Sequence, residues 1–368
     1  MSERLTAVYE VNGPAADAEK TARAIAFEET VEVPFDFPLP PRIKEEIVGR
    51  PGPVSPAANG RFRVAIDFPG ALAGGRFGAL LNLVFGNASI WPGVRLVDLT
   101  LPESFLAAMP GPNYGVAGVR ALTGAQGRPL LATALKPMGS TEVELADAAA
   151  AFARGGGDIV KDDQNIVDAS FSSFRSRVGR IADAVLAENR RSARSCLYLP
   201  HLSAPQEELE ARLNFVLSLG LKGVLVCPAI LGLDSVRSLA SKRRALFMAH
   251  PAYSGAFYAD RSHGIEHSLY LGTMMRLLGA DITVFPNSGG RFAFTPAECR
   301  AIAERSRAPL GRCAPALPAP GGGMSLDSTE AMTKDFGTDA VWLVGGRLLM
   351  HPGGPEAGAR AFRDAMEQ

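Results

Sequence analysis

At 368 residues, with 47% hydrophobic and 21% charged residues, the chain has the length of two domains, or of a barrel with an added domain, and an ordinary globular composition. Lysine plus arginine match aspartate plus glutamate at 38 each, so no overall field draws the protein to nucleic acid or to an anionic membrane. The start has no apolar leader, no run of about 18 apolar residues occurs, and Cys196, Cys227, Cys299 and Cys313 lack CxxC spacing, so a cytoplasmic protein with reduced thiols is expected.

In chain order, the alternating segment 5–11 (LTAVYEV) predicts a strand and residues 15–28 an amphipathic helix. Residues 34–56, rich in Pro and Gly, predict a loop, and residues 61–68 and 94–101 two more strands. Together they suggest an N-terminal α+β domain over residues 1–115. From Leu130 onward the pattern changes to eight short apolar runs separated by helix-length amphipathic segments. They start at Leu130, Asp158, Ser195, Gly223, Ala245, Ala280, Cys313 and Ala340. Eight such units over roughly 240 residues predict a (β/α)8 TIM barrel over residues 116–368, with a doubly wound open sheet as the alternative. Polar residues and glycines gather where these runs end, which is where barrel enzymes place their active sites.

The densest chemistry lies in GGGDIVKDDQN, residues 155–165. On a strand Lys161 and Asp163 project to one side, with the oxygen of Gln164 close by. That arrangement is either a ligand set for a hard cation, should the lysine carry an anionic carbamate, or an ion pair at a strand end. His263 and His267, four apart, predict a structural pair on a helix, since the spacing alone fits a metal but nothing else supports one.

KDDQN closely resembles the KDDEN motif of RuBisCO and its relatives. Further similarity lies in ALKPMGST around Lys136, MAHPAYSG around His250, the glycine runs at 321–323 and 345–346, and the final HPGG. The chain is identified on this basis as a member of the RuBisCO-like proteins. The resemblance implies an N-terminal α+β, ferredoxin-like domain before the barrel. It also implies a Mg2+ ion held by Lys161 as its CO2-derived carbamate, by Asp163 and by Gln164. Lys136, Lys161 and His250 would be catalytic, and Gly321, Gly322, Gly345 and Gly346 would bind a substrate phosphate. Arg291 would stand in for a mobile-loop lysine. Glu28 and Asn87 would complete the site of a partner subunit, so that a homodimer is the functional unit.

The departures point away from carboxylation. Met138 stands where the family has a second lysine, Pro251 where RuBisCO has an arginine, and Gln164 where it has the metal-binding glutamate. The expected chemistry is therefore a Mg2+-stabilised enolate on a phosphorylated sugar-derived substrate without CO2 fixation. Gln164 favours decarboxylation, or transcarboxylation and hydrolysis, of a 3-oxo sugar-acid phosphate of the apiose type. The alternatives are an isomerase or enolase acting on a substrate of the 5-methylthioribulose 1-phosphate kind, and a non-catalytic binding or regulatory protein.

Overall fold

The structure is a computed structural model describing residues 3–367, and it divides into two compact units. The first runs to Met109 and also takes in Ser254–Tyr270 and Leu310–Arg312; the second holds Pro110–Tyr253, Leu271–Pro309 and the chain from Cys313.

The first unit is built on β1 (Arg4–Val11), β2 (Arg50–Pro51), β3 (Ser55–Pro56), β4 (Phe62–Pro69) and β5 (Val94–Thr100). In β1 every second residue is buried, the signature of a strand covered on one face. It pairs antiparallel with β4 and β5. The helix Ala15–Glu28 turns Ala18, Ala22, Ile25 and Ala26 inward at helical spacing. Segment 34–56 is not all loop: Pro41 and the residues after it form the short helix Pro41–Glu46, and β2 and β3 both pair with β4. Two-residue strands have no periodicity for a sequence reading to detect.

The second unit holds eight parallel strands: β6 (Leu130–Leu135), β7 (Ile159–Asp162), β8 (Leu197–Leu199), β9 (Gly223–Val226), β10 (Leu246–Ala249), β12 (Ile282–Pro286), β13 (Leu317–Gly321) and β14 (Val341–Leu343). They run in the order β8-β7-β6-β14-β13-β12-β10-β9, and a parallel bridge from His201 to Leu225 closes the ring between β8 and β9. The remaining strand, β11 (Gly264–Ile265), leaves the barrel chain to pair with β5 in the first unit's sheet. It separates His263 from His267, which is why these two do not share the expected helix.

The strand expected from Cys313 begins at Leu317 and contains Pro318 and Pro320. Adjacent residues of a strand direct their N–H groups to opposite neighbours. Leu317 donates towards β12 through the Asp281 carbonyl at 2.9 Å, so both prolines lie on the side of β14. Proline has no N–H to give. The ladder to β14 accordingly shrinks to the single pair Gly321–Leu343, while five pairs join β13 to β12.

The barrel interior is filled from alternate positions by Leu130, Ile159, Leu199, Leu225, Met248, Val284 and their neighbours. Val116 and Val119 of the helix Gly115–Thr123 belong to the same core and close one end of it. The glycine run before β7 has a packing cause. A side chain at Gly155 would meet the Glu356 carbonyl at 2.3 Å, and one at Gly157 the Phe152 ring at 2.1 Å. Three of the helices that follow the strands start at side-chain caps: Thr141 with Glu144, Ser170 with Ser173, and Thr295 with Glu298. These caps fix where the loops at the barrel mouth end.

Candidate active site at the barrel mouth

Strand parity decides which side chains reach the mouth. Ile159, Leu197, Leu199, Leu225, Leu246 and Met248 lie in the interior core. A period of two then sends Lys161, Asp163, His201, Cys227 and His250 to that same side at the C-terminal ends of the strands. They come from β7, β8, β9 and β10, which are neighbours in the ring. Lys136 follows Leu130 and Ala132 in the parity of β6, and its ammonium makes an ion pair with Asp163.

Lys161 is 1% exposed, and its Nζ donates to the Asp162 carbonyl at 3.0 Å. Burial, with the charge of Lys136 adding to it and Asp163 opposing, pushes its pKa down to about 8. Roughly a tenth of the amine is then neutral at pH 7, against well under a thousandth for a solvated lysine. Burial alone would raise Asp163. The hydrogen bonds from Lys136 and from the Asn165 amide, together with both lysine charges, hold it below the usual carboxylate range.

His250 accepts the Ala252 N–H on Nδ1 at 3.2 Å, so its proton sits on Nε2. Burial first, and the Lys161 charge second, push its pKa to about 3, which keeps the ring neutral. A neutral imidazole N–H beside two lysines can donate to a substrate oxygen without adding a third cation.

Asp162 points the other way. It is fully buried outside the barrel wall, where it accepts from Arg177 Nη1 at 2.7 Å, the Tyr198 hydroxyl at 2.8 Å and the His201 N–H at 2.8 Å. Arg177 also grips both oxygens of Asp168, at 3.0 and 2.8 Å. One guanidinium thereby holds both ends of the loop that carries Asp163 and Gln164.

His201 and Cys227 were not singled out as site residues from the sequence. Their backbones lie on adjacent strands, and His201 Nε2 stands 3.6 Å from the Cys227 sulfur. His201 Nδ1 is 3.2 Å from the Ile166 carbonyl. A signal for both was available in their sharing parity with Leu199 and Leu225. No local spacing links them.

The glycine loops follow β13 and β14. Gly322 and Gly323 have φ of +94° and +71°, and a side chain at Gly323 would strike the Gly289 and Gly290 backbone at 2.8 Å. Nothing lies within 4 Å of a would-be side chain at Gly322 or Gly345, so the backbone there borders open space. Gly321 ends β13, and Gly346 begins the short helix Gly346–Leu349. Arg291 is exposed and makes no hydrogen bond or ion pair among the described residues. Gln164 is half-buried, next to Asp163. In the first unit Asn87 Nδ2 donates to Glu28 at 2.9 Å.

Known proteins share this architecture. Residues 115–290 match the family described as ribulose bisphosphate carboxylase large chain, catalytic domain. The chain is 38% identical, over 95% of its own length and 92% of the relative's, to the 5-methylthioribulose-1-phosphate isomerase of Rhodospirillum rubrum. It is 32% identical to a 2,3-diketo-5-methylthiopentyl-1-phosphate enolase of Bacillus licheniformis, over 100% and 92% of the two lengths. The crystal structure of a Rubisco-like protein from Rhodopseudomonas palustris superposes with a TM-score of 0.89 at 36% identity, covering 100% of this chain and 98% of that one. An eight-stranded barrel with lysine, aspartate and histidine at its mouth, preceded by a sheet-containing domain, together with this similarity along almost the whole chain, establishes that the protein belongs to the RuBisCO-like branch of the RuBisCO large-chain family.

Proposed function

We propose that the protein is an isomerase that moves a proton next to the carbonyl of a phosphorylated, methylthio-bearing ketose of the 5-methylthioribulose 1-phosphate kind. The observation that carries the chemistry is the meeting of Lys136, Lys161, Asp163 and a neutral His250 at the mouth of one barrel. Similarity to the isomerase and the enolase supports a methylthio substrate over the 3-oxo sugar-acid phosphate suggested by Gln164.

The residues suit a Mg2+ ion once Lys161 is carbamylated. Among the described residues no group of three His, Cys, Asp or Glu can hold a metal ion. A hard cation needs oxygen ligands, and a carbamate on Lys161 adds anionic oxygen to that of Asp163 and the amide oxygen of Gln164. The depressed pKa of Lys161 supplies the neutral amine that reacts with CO2. When bound, the ion supplies Lewis-acid stabilisation of an enediolate.

Lys136 exchanges the proton of the carbon beside the carbonyl after substrate displaces its ion pair with Asp163. His250 donates its Nε2–H to a substrate oxygen and orients it. Backbone N–H groups of Gly321, Gly322, Gly345 and Gly346 hold the phosphate, and Arg291 closes over it. Glu28 and Asn87 of a second copy complete the site, so the working unit is a homodimer.

Incubation of the protein with 5-methylthioribulose 1-phosphate in D2O, with Mg2+ and bicarbonate, tests this by NMR. Deuterium incorporation next to the carbonyl with formation of an isomeric ketose phosphate is expected. The absence of both exchange and product would overturn the proposal.

Gln164→Glu adds an anionic oxygen to the ligand set, so Mg2+ should activate the variant at about tenfold lower concentration. An unchanged Mg2+ requirement would mean that residue 164 does not touch the ion.

A further inference from the structure

The loop that joins β7 to the helix Phe171–Ser192 is held from within the barrel as well as from outside. Its middle residue, Ile166, presents its carbonyl to His201 Nδ1 at 3.2 Å. A carbonyl oxygen only accepts, so Nδ1 carries the imidazole proton and Nε2 carries a lone pair. Cys227, buried on the next strand, places its sulfur 3.6 Å from that lone pair. Burial keeps Cys227 a thiol, with its pKa pushed up to about 12, and its S–H donates to Nε2. His201 is 3% exposed, and its ring is held at both nitrogens in one tautomer. Its backbone N–H, meanwhile, ties to Asp162 at 2.8 Å. One residue thus grips the loop at Asp162 and at Ile166, on either side of Asp163 and Gln164.

We propose that His201 is a positioning residue for the loop bearing Asp163 and Gln164, acting through the Ile166 carbonyl, and that the Cys227 thiol selects the tautomer that makes this bond. The functional part rests on the reading that these two residues bind the metal. Groups that orient metal ligands in this way are worth about 10–100-fold in metal affinity in other proteins.

The geometry supplies its own control. The side-chain amide of asparagine reproduces the position of histidine Nδ1, whereas that of glutamine reproduces Nε2. His201→Asn keeps a donor for Ile166, and His201→Gln lacks one. Three readouts are taken on the full chain: hydrogen exchange of the Asn165 and Ile166 amides, both bonded to Asp163 at 3.0 Å; Mn2+ binding by EPR with bicarbonate present; and kcat and KM separately.

For His201→Gln we expect faster exchange across 163–168, Mn2+ affinity lower by about tenfold and a fall in kcat with KM little changed. His201→Asn should stay near wild type in all three, and Cys227→Ala should fall between them, with the melting temperature of each variant recorded as the check on folding. Equal losses in the asparagine and glutamine variants, or unchanged exchange in both, overturn the proposal. If the wild-type chain itself binds no Mn2+, the metal reading fails, and amide exchange alone still decides whether His201 holds the loop.

Discussion

Replacing Lys161 with methionine is expected to abolish proton exchange at the substrate while making the fold more stable. The two effects have one cause. The ammonium is fully buried, and the displacement of its pKa from 10.5 to about 8 corresponds to about 3 kcal/mol of penalty on the charged form at pH 7. Below pH 8 the amine is charged in folded and unfolded chains alike, and the penalty is felt in full. As pH rises from about 8 to 10.5 the folded amine loses its proton first, so wild-type stability should climb through that window. Methionine has a similar length and no charge to desolvate. Urea denaturation should therefore show the variant about 2–3 kcal/mol more stable at pH 7, with the advantage fading from about pH 8 and nearly gone by about pH 10.5. The rate should fall by about 10³-fold or more, because the variant loses the amine and, with it, the proposed carbamate. A variant no more stable than wild type at pH 7 would mean that the buried ammonium carries no net penalty.

Arg177→Met should act in the opposite sense. Asp162 lies at 0% exposure with Arg177 as its cationic partner, and the same guanidinium neutralises Asp168. Removing one member of a buried ion pair leaves a charge with nothing to offset its desolvation, at a cost of about 3–5 kcal/mol. The Tyr198 hydroxyl and the His201 amide continue to donate to Asp162, so the lower part of that range is expected. Combining Arg177→Met with Asp162→Asn should recover part of the loss, because the stranded charge is gone; a double variant as unstable as the sum of the two singles would locate the cost in packing. The site should suffer as well, since Lys161 and Asp163 flank Asp162 on the same strand end.

These two residues also mark how far the sequence could be read. Lys161 and Asp163 were visible because two residues on one strand share a face by rule, and Ile159 in the core confirms which face it is. All eight barrel strands were legible from their apolar runs, although the seventh starts four residues later than its first apolar residue suggests. The helix Ala15–Glu28 was readable from its periodic alanines and isoleucine. What the sequence hid were partnerships made only by the closed ring. His201 and Cys227 are 26 residues apart, yet they meet because β8 and β9 are the strands where the ring closes. Asp162 and Arg177 meet because a helix folds back over its own strand. The same limit applies to Ser254–Tyr270, which follows a barrel strand in the chain but joins the first unit, an allegiance set by the pairing of β11 with β5.

The prolines of β13 have a mechanical consequence. Where a wall of parallel strands is joined by a single residue pair, it forms a seam, as at the closure between β8 and β9, and a second such seam runs between the two glycine loops. An anion gripped by amides from both loops would bridge that seam from above and act as a rivet, restoring the transverse ties that two missing N–H groups removed. The empty barrel would then be the looser form, and its occupant would complete the wall.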